Sequence, residues 1–419
     1  MKYAVITFGC RVNQADSLGF EEALLARGAT AAAPEDADLV VVNTCSVTSS
    51  ADQGARQTIR RLARSNPAAR IVVTGCYATR RPDELAQLPN VVRVVHNDDK
   101  PRLIPLIHPG DLGEGPCGAV IEPGVAGRTA FTLRVQTGCA EPCSYCIIPS
   151  TRGAPRSVPP DDVAREFERV AGAGFKEIAL TGVHLGSYGR DLEPRSSLID
   201  LLRALETVRL APATTDDSDV IFRISSLEPM DCTDAIVDLM AQSPRFAPHF
   251  HLPLQHASNR ILGAMRRPYT LERYAGLVER IRALMPGAAI GSDIIVGFPS
   301  ESDADFDVLS RWLEASPLTH IHVFPYSDRP GTAASAIPDK VPGAVVRERA
   351  RQVREIGQRL AARFRASQIG TTHRALTLED GTLAVTGNYL KLRIPAGRVR
   401  NEWVRLRVTS EHHGELLGG

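Results

Sequence analysis

The residues of this 419-residue chain best suited to chemistry are cysteines. Cys139, Cys143 and Cys146 lie in the run Gln136-Thr-Gly-Cys-Ala-Glu-Pro-Cys-Ser-Tyr-Cys-Ile-Ile-Pro149, spaced C-x3-C-x2-C. A structural zinc site takes four protein ligands. This loop offers three and no nearby fourth. Three thiolates suit a four-iron, four-sulfur cluster with one iron left open, because such clusters are held by cysteine. An open iron can bind a small molecule. A zinc knuckle, or three buried thiols, is the competing reading.

A second set is spread through the N-terminal third. Cys10, Cys45 and Cys76 each follow an apolar string: Val-Ile-Thr-Phe-Gly-Cys10, Val-Val-Asn-Thr-Cys45 and Val-Val-Thr-Gly-Cys76. In an open parallel sheet, ligands gather at the carboxyl ends of the strands. Three cysteines there can meet around one object if their strands are neighbours, which the sequence does not show. Gly9 and Gly75 would let the backbone come close. The alternative is three small buried residues at strand ends. Cys117 and Cys232 lack such partners and read as ordinary thiols.

The elements that must position these residues alternate. Strands are expected at Tyr3–Phe8, Leu39–Asn43, Ile71–Thr74 and Val91–Val95, with helices at Ser17–Arg27 and Ala51–Ala63. Short, nearly continuous apolar strands of this kind indicate an open parallel α/β sheet over residues 1–112. A glycine- and proline-rich linker follows at 112–128. Six β/α units then suggest a partial barrel within residues 125–355. Their strands are expected at Thr132–Gln136, Glu177–Thr181, Val220–Ser225, His249–Leu254, Ala289–Val296 and His320–Pro325. An exposed loop is expected at Ala213–Asp219, and a long arginine-rich helix at Val345–Ser367. Residues 358–419 change to short strands and turns, which indicates a small β-barrel.

Composition narrows the class. With 49 basic and 48 acidic residues the formal charge is +1, so any nucleic-acid surface must be local. The first residues lack a basic segment followed by an apolar one, and no apolar run approaches the ~20 residues of a membrane span. A cytoplasmic location without membrane attachment is expected. Clustered cysteines there read as metal or redox ligands.

With these residues in view, the whole chain resembles a radical SAM methylthiotransferase. Thr7-Phe-Gly-Cys-Arg-Val-Asn-Gln14, Asn43-Thr-Cys-Ser-Val-Thr48 and Thr74-Gly-Cys-Tyr-Ala78 resemble the family's three N-terminal cysteine boxes. Gln136-Thr-Gly-Cys through Thr151-Arg-Gly153 resembles its radical SAM box, including Tyr145. Ile294-Ile-Val-Gly-Phe-Pro299 and Phe324-Pro-Tyr-Ser-Asp-Arg-Pro-Gly-Thr332 resemble later signatures. The form Arg11-Val-Asn-Gln14 resembles the branch acting on threonylcarbamoyladenosine in tRNA. The isopentenyladenosine branch and the branch acting on a ribosomal-protein aspartate are alternatives. The chain departs from the family at Gln255-His-Ala-Ser258, Ser300 and Ser150.

The resemblance implies two [4Fe-4S] clusters and S-adenosylmethionine (SAM). Cys139, Cys143 and Cys146 would hold the radical-generating cluster; Cys10, Cys45 and Cys76 would hold one that carries sulfur. It implies SAM contacts at Tyr145, Thr181, Gly182, His184, Ser226, Glu228 and Gly297. His184 and His256 otherwise read as hydrogen-bonded structural groups. The implied C-terminal domain is TRAM-like, a tRNA-facing barrel. Its candidate contacts are Lys391, Arg393, Arg398, Arg400, Arg405 and Arg407, since cations dominate affinity for phosphate. Strand alternation would put Arg398 and Arg400 on one face, and Arg405 and Arg407 likewise. The partners implied are a tRNA anticodon stem-loop, a low-potential electron donor of flavodoxin or ferredoxin type, and a sulfur donor. An iron–sulfur electron-transfer protein is the alternative of a different class. The six-unit core argues against it, because electron transfer needs no pocket of that size.

Overall fold

The computed structural model describes residues 1–107, 121–124, 129–210, 220–412 and 414–419. The loop Ala213–Asp219, Cys117 and most of the linker lie outside the described residues. The chain divides into two packed units. One holds Met1–Ile121, Gln136–Arg156 and Ser327–Ser335; the other holds Glu122–Val135, Ser157–Tyr326 and Ala336–Gly419.

The first unit is built on β1 (Lys2–Thr7), α1 (Arg11–Leu25), β2 (Thr30–Ala31), β3 (Leu39–Thr44), α2 (Ser49–Ser65), β4 (Arg70–Gly75), α3 (Cys76–Arg80), α4 (Pro82–Ala86), β5 (Val91–Val95) and α5 (Leu103–Ile107). The strands form one parallel sheet in the order β2-β1-β3-β4-β5. Every residue of β3 is buried: its first four are an unbroken apolar run, and Asn43 and Thr44 have hydrogen-bonded side chains. Val40, Val42, Ile71 and Val73 pack on one face with Ile59 and Leu62 of α2. Leu39, Val41 and Val72 pack on the other with Leu24, Leu103 and Ile104. The edge strand β2 has two residues, too few to show an alternation in sequence. Helix α1 starts at Arg11, before the expected Ser17, because its first turn buries Asn13 beside Val12.

The second unit starts with β6 (Phe131–Arg134). The chain then supplies β7 (Gln136–Thr137) and α6 (Ile148–Arg152), which belong to the first unit, and the short β8 (Arg156–Ser157). The second unit continues with α7 (Pro160–Gly172), β9 (Glu177–Thr181), α8 (Leu198–Thr207), β10 (Ile221–Ile224), α9 (Asp234–Gln242), β11 (His249–His251), α10 (Asn259–Ala264), α11 (Leu271–Leu284), β12 (Ala289–Val296), α12 (Asp303–Ala315), β13 (His320–Pro325) and α13 (Gly343–Gln368). Strands β10-β9-β6 form one parallel sheet and β11-β12-β13 another. A parallel bridge between Phe222 and Phe246 joins them, with Phe222 N–H 2.6 Å from the Arg245 carbonyl. Six strands in chain order thus make the partial barrel.

Strands β14 (Thr372–Leu378), β15 (Leu383–Thr386), β16 (Lys391–Arg393), β17 (Trp403–His412) and β18 (Glu415–Gly418) close a barrel in the order β14-β15-β16-β18-β17. It is fastened to the partial barrel. The fully buried Arg223 donates to the Gly387 carbonyl at 2.8 Å and lies 4.5 Å from the centre of the Tyr389 ring. One expectation is corrected here: Arg398 and Arg400 are not on a strand. They sit in the connection between β16 and β17, where Gly397 takes φ 111°. Among the described residues, no helix is long and apolar enough to cross a membrane.

Candidate active site

Strands β1, β3 and β4 are consecutive neighbours in the sheet. Cys45 and Cys76 directly follow β3 and β4, and Cys10 lies three residues past β1 as the N-cap of α1. The condition that the sequence left open is therefore met. Gly9 takes φ 96°, and a Cβ there would stand 2.8 Å from Cys45 Sγ, so only glycine admits that thiol. Burial pushes the Cys45 thiol up to about 11, and Cys76 and Cys10 add to the rise against a backbone hydrogen bond at Val47. A metal would bind such sulfurs as thiolates. An all-sulfur donor set of three fits an iron–sulfur cluster with one open iron.

The residues between the cysteines lace the three loops together. Asn13 donates to the Phe8 carbonyl at 2.7 Å and the Thr44 carbonyl at 3.0 Å, tying the first box to the second. Asn43 donates to the Asn13 carbonyl at 2.9 Å. Thr44 Oγ1 donates to the Thr74 carbonyl at 2.6 Å, tying the second box to the third. All three side chains are buried. Sequence reasoning quoted them as motif letters but gave them no task.

A buried charged cluster completes this site. Arg152, in the tail of the other cysteine run, hydrogen-bonds Asn13 Oδ1 and lies 3.5 Å from Asp16 Oδ2. Lys100 Nζ donates to the same Asp16 oxygen at 2.6 Å. Burial disfavours charge on Arg152, but Cys76, Asp16 and Cys10 outweigh it and raise its pKa. Asn97 donates to the Thr151 carbonyl at 2.7 Å and approaches Cys76 Sγ at 3.7 Å. Arg329, from the Phe324–Thr332 signature, donates to Asp52 Oδ2 at 2.7 Å, and Arg80 donates to the same oxygen at 3.0 Å.

Cys139, Cys143 and Cys146 are partly exposed, on a loop fixed by its backbone. Cys139 N–H donates to the Gly153 carbonyl at 3.0 Å, and Cys146 N–H to the Cys143 carbonyl at 3.2 Å. Glu141 N–H points at Cys139 Sγ, 3.4 Å away. Gly138 takes φ 76°, and a Cβ there would meet the Ala154 carbonyl at 1.9 Å. Tyr145 is partly exposed beside Cys146. Both cysteine sets belong to the first unit, although one follows the first barrel strand in sequence.

The residues expected to contact SAM have varied surroundings. Thr181 is buried at the end of β9, and Ser226 is exposed just past β10. His184 is buried, with Nε2 3.1 Å from Asp231 Oδ2. Glu228 is engaged by Arg267. Gly297 takes φ 74°, and a Cβ there would stand 2.4 Å from Val346 Cγ2 of α13, so helix packing already requires this glycine. His256 is fully buried; its Nδ1 accepts from Ser258 N–H at 2.9 Å and its Nε2 lies 3.6 Å from Glu301.

The basic candidates of the C-terminal barrel separate into two groups. Lys391, Arg405 and Arg407 are exposed at alternate, outward strand positions. Arg393 pairs with Glu415 at 3.1 Å and Arg398 with Glu402 at 3.2 Å. Arg400 donates to the carbonyls of Glu379, at 2.9 Å, and Gly124, at 3.0 Å, which makes it a clip for the fold. Several arginines of α13 are similarly occupied: Arg349 by Glu301 and Asp303, Arg359 by Glu314.

Residues 2–97 match the family described as Uncharacterized protein family UPF0004, and residues 133–313 match the Radical SAM superfamily. The chain is 36% identical to the threonylcarbamoyladenosine tRNA methylthiotransferase MtaB of Aquifex aeolicus, over 94% of this chain and 96% of that protein. The chain belongs to the MtaB-type methylthiotransferase family. The Bacillus subtilis MtaB is 35% identical over 86% of this chain and 81% of its own length. A tRNA-2-methylthio-N(6)-dimethylallyladenosine synthase of Leifsonia xyli is 34% identical over 88% and 70%. The radical SAM methyltransferase TsrM of Kitasatospora setae, solved with cobalamin and a [4Fe-4S] cluster, shares the fold. Its TM-score is 0.56 at 17% identity, over 80% of this chain and 77% of that one. Membership of the MtaB-type family makes the chain a radical SAM enzyme that uses [4Fe-4S] clusters and SAM.

Proposed function

We propose that this protein adds a methylthio group to C2 of N6-threonylcarbamoyladenosine at position 37 of tRNA. The observation that carries the reading is the occurrence of two three-cysteine sets in one packed unit, in a chain related over nearly its whole length to MtaB proteins. C2 of adenine has no acidic proton and no leaving group, so polar chemistry does not readily functionalise it. When bound, the clusters and SAM supply a carbon radical that takes the C2 hydrogen and the methylthio group that replaces it.

The chain's own residues hold and isolate this chemistry. Cys139, Cys143 and Cys146 would bind the cluster that meets SAM; Cys10, Cys45 and Cys76 would bind the sulfur-carrying one. Arg152 sets buried positive charge beside the second, where low dielectric strengthens its pull on anionic sulfur, while Lys100, whose charge burial disfavours, is paired with Asp16. Tyr145, Thr181, Gly182 and Ser226 are the proposed SAM contacts, with Gly297 and Glu228 shaping the strand ends. The anticodon loop presents an unpaired base that can be splayed out for reading. Lys391, Arg405 and Arg407 would hold its backbone. A low-potential flavodoxin or ferredoxin and a sulfur donor complete the partners.

The test is mass spectrometry of tRNA nucleosides from cells with and without the gene. Loss of 2-methylthio-N6-threonylcarbamoyladenosine, with its unthiolated precursor accumulating, is expected. Loss of the isopentenyladenosine derivative in its place would leave the family intact and refute the substrate.

A further inference from the structure

The second unit carries a polar set that neither the cysteine sites nor the SAM contacts use. Along β11, β12 and β13, alternate residues Phe250, Ile290, Ile294 and Ile321 share one face, and the first three are buried. Gly357 of α13 lies against Ile321, and Tyr274 of α11 donates to the Leu252 carbonyl at 2.9 Å. The intervening positions are His251, Gly291, Asp293, His320 and His322, and strand alternation puts them on the opposite, inner face of the partial barrel. Gly291 makes room for the neighbouring ring: a Cβ there would stand 2.1 Å from His320 Nε2.

Three of these side chains converge. His251 Nε2 is 3.1 Å from Asp293 Oδ1, and His322 Nδ1 is 3.2 Å from the same oxygen. Burial works against charge on Asp293, but the two imidazoles outweigh it and hold its pKa well below the usual carboxylate range. The bond to Asp293 raises the pKa of His322. The His322 side chain is 59% exposed, so the set is reachable, whereas the Asp293 side chain is only 25% exposed. At the amino ends of the strands the inner face is stoppered: the His249 and Tyr389 rings lie 5.1 Å apart.

We propose that His251, Asp293 and His322 form the subsite that takes the polar N6 substituent of the substrate base, an N-carbamoylated hydroxy amino acid, and turns away a hydrocarbon substituent. The inference rests on the substrate reading above. As an imidazolium, the form that the bond to Asp293 favours, His322 donates Nδ1–H to Asp293 and can donate Nε2–H to a carboxylate. Asp293 has a second oxygen that can accept from a urea N–H or a hydroxyl. A threonylcarbamoyl group carries all three of these functions. A dimethylallyl group carries none, and it would strip water from the set without replacing the hydrogen bonds that water made. Sites built to hydrogen-bond a substrate discriminate strongly against analogues that lack the partner.

The test uses full-length protein with reconstituted clusters and SAM. It measures affinity, at one salt concentration, for two anticodon stem-loops that differ only in the N6 substituent, threonylcarbamoyl or dimethylallyl. Wild type should favour the first by at least about tenfold. His322→Phe and Asp293→Leu should bring the ratio close to one by weakening the first RNA alone; His322→Gln should keep part of it. Affinity for the dimethylallyl RNA reports folding in each variant. If wild type shows the preference and both variants keep it, the subsite is overturned while the substrate reading stands. If wild type has no preference, the substrate reading falls and takes this inference with it. Stoichiometric zinc or manganese in the purified wild type, lost in Asp293→Leu, would make the set a metal site and overturn the proposal.

Discussion

At the scale of single residues, the site depends on side chains that hold cysteines as much as on the cysteines themselves. Asn13 spans two boxes through donors to Phe8 and Thr44 and receives Arg152 on its oxygen. Asn13→Asp keeps size and the Arg152 contact but removes both donors. Leaving two carbonyls short of a partner costs about 1–3 kcal/mol each and frees the first box from the second. Anaerobic reconstitution of this variant should therefore stop near about four irons per chain, against about eight for two complete clusters. Retention of the full iron content would show that Asn13 does not position the N-terminal ligands.

At the scale of elements, the turn after β12 shows two opposite uses of left-handed backbone. Gly297 and Ser300 take φ 74° and 69°. Gly297 is also pressed by Val346, so Gly297→Ala adds a clash to backbone strain and should cost more than about 2 kcal/mol. Ser300 stands where the family usually has glycine. Ser300→Gly relieves about 1–2 kcal/mol of strain against about 0.5–1 kcal/mol of chain entropy. Its melting temperature should equal or slightly exceed that of wild type, while Gly297→Ala melts several degrees lower. A drop for Ser300→Gly would mean that its side chain stabilises the turn in a way its backbone angle does not reveal.

At the scale of the whole molecule, a formal charge of +1 leaves RNA binding to a local surface. Arg405 and Arg407 project outward from β17, whereas Arg400 is folded onto the main chain. Replacing Arg405 and Arg407 together with alanine should weaken tRNA binding. It should also reduce the slope of log K against log salt by about 0.7–0.9 for each phosphate that is no longer neutralised. Arg400→Ala should lower the melting temperature and leave that slope in place. Equal slopes for wild type and the double variant would move the RNA surface away from β17.

The sequence by itself determined the element types, both cysteine sets and the family. These are local properties: apolar strings with β-branched residues make buried strands, and a three-thiol loop is complete within eight residues. The extents of β5, β9, β12 and β13 agree residue for residue with the strands expected from the sequence. Only the tertiary structure decided that β1, β3 and β4 are neighbours, which lets Cys10, Cys45 and Cys76 meet. It also brought Arg152 to Asp16 across 136 residues and Arg329 to Asp52 across 277. It placed Arg400 inside the fold and gathered His251, Asp293 and His322 onto one face. Strand order and long-range ion pairs are set by packing between segments far apart in the chain, which no local pattern of residues encodes.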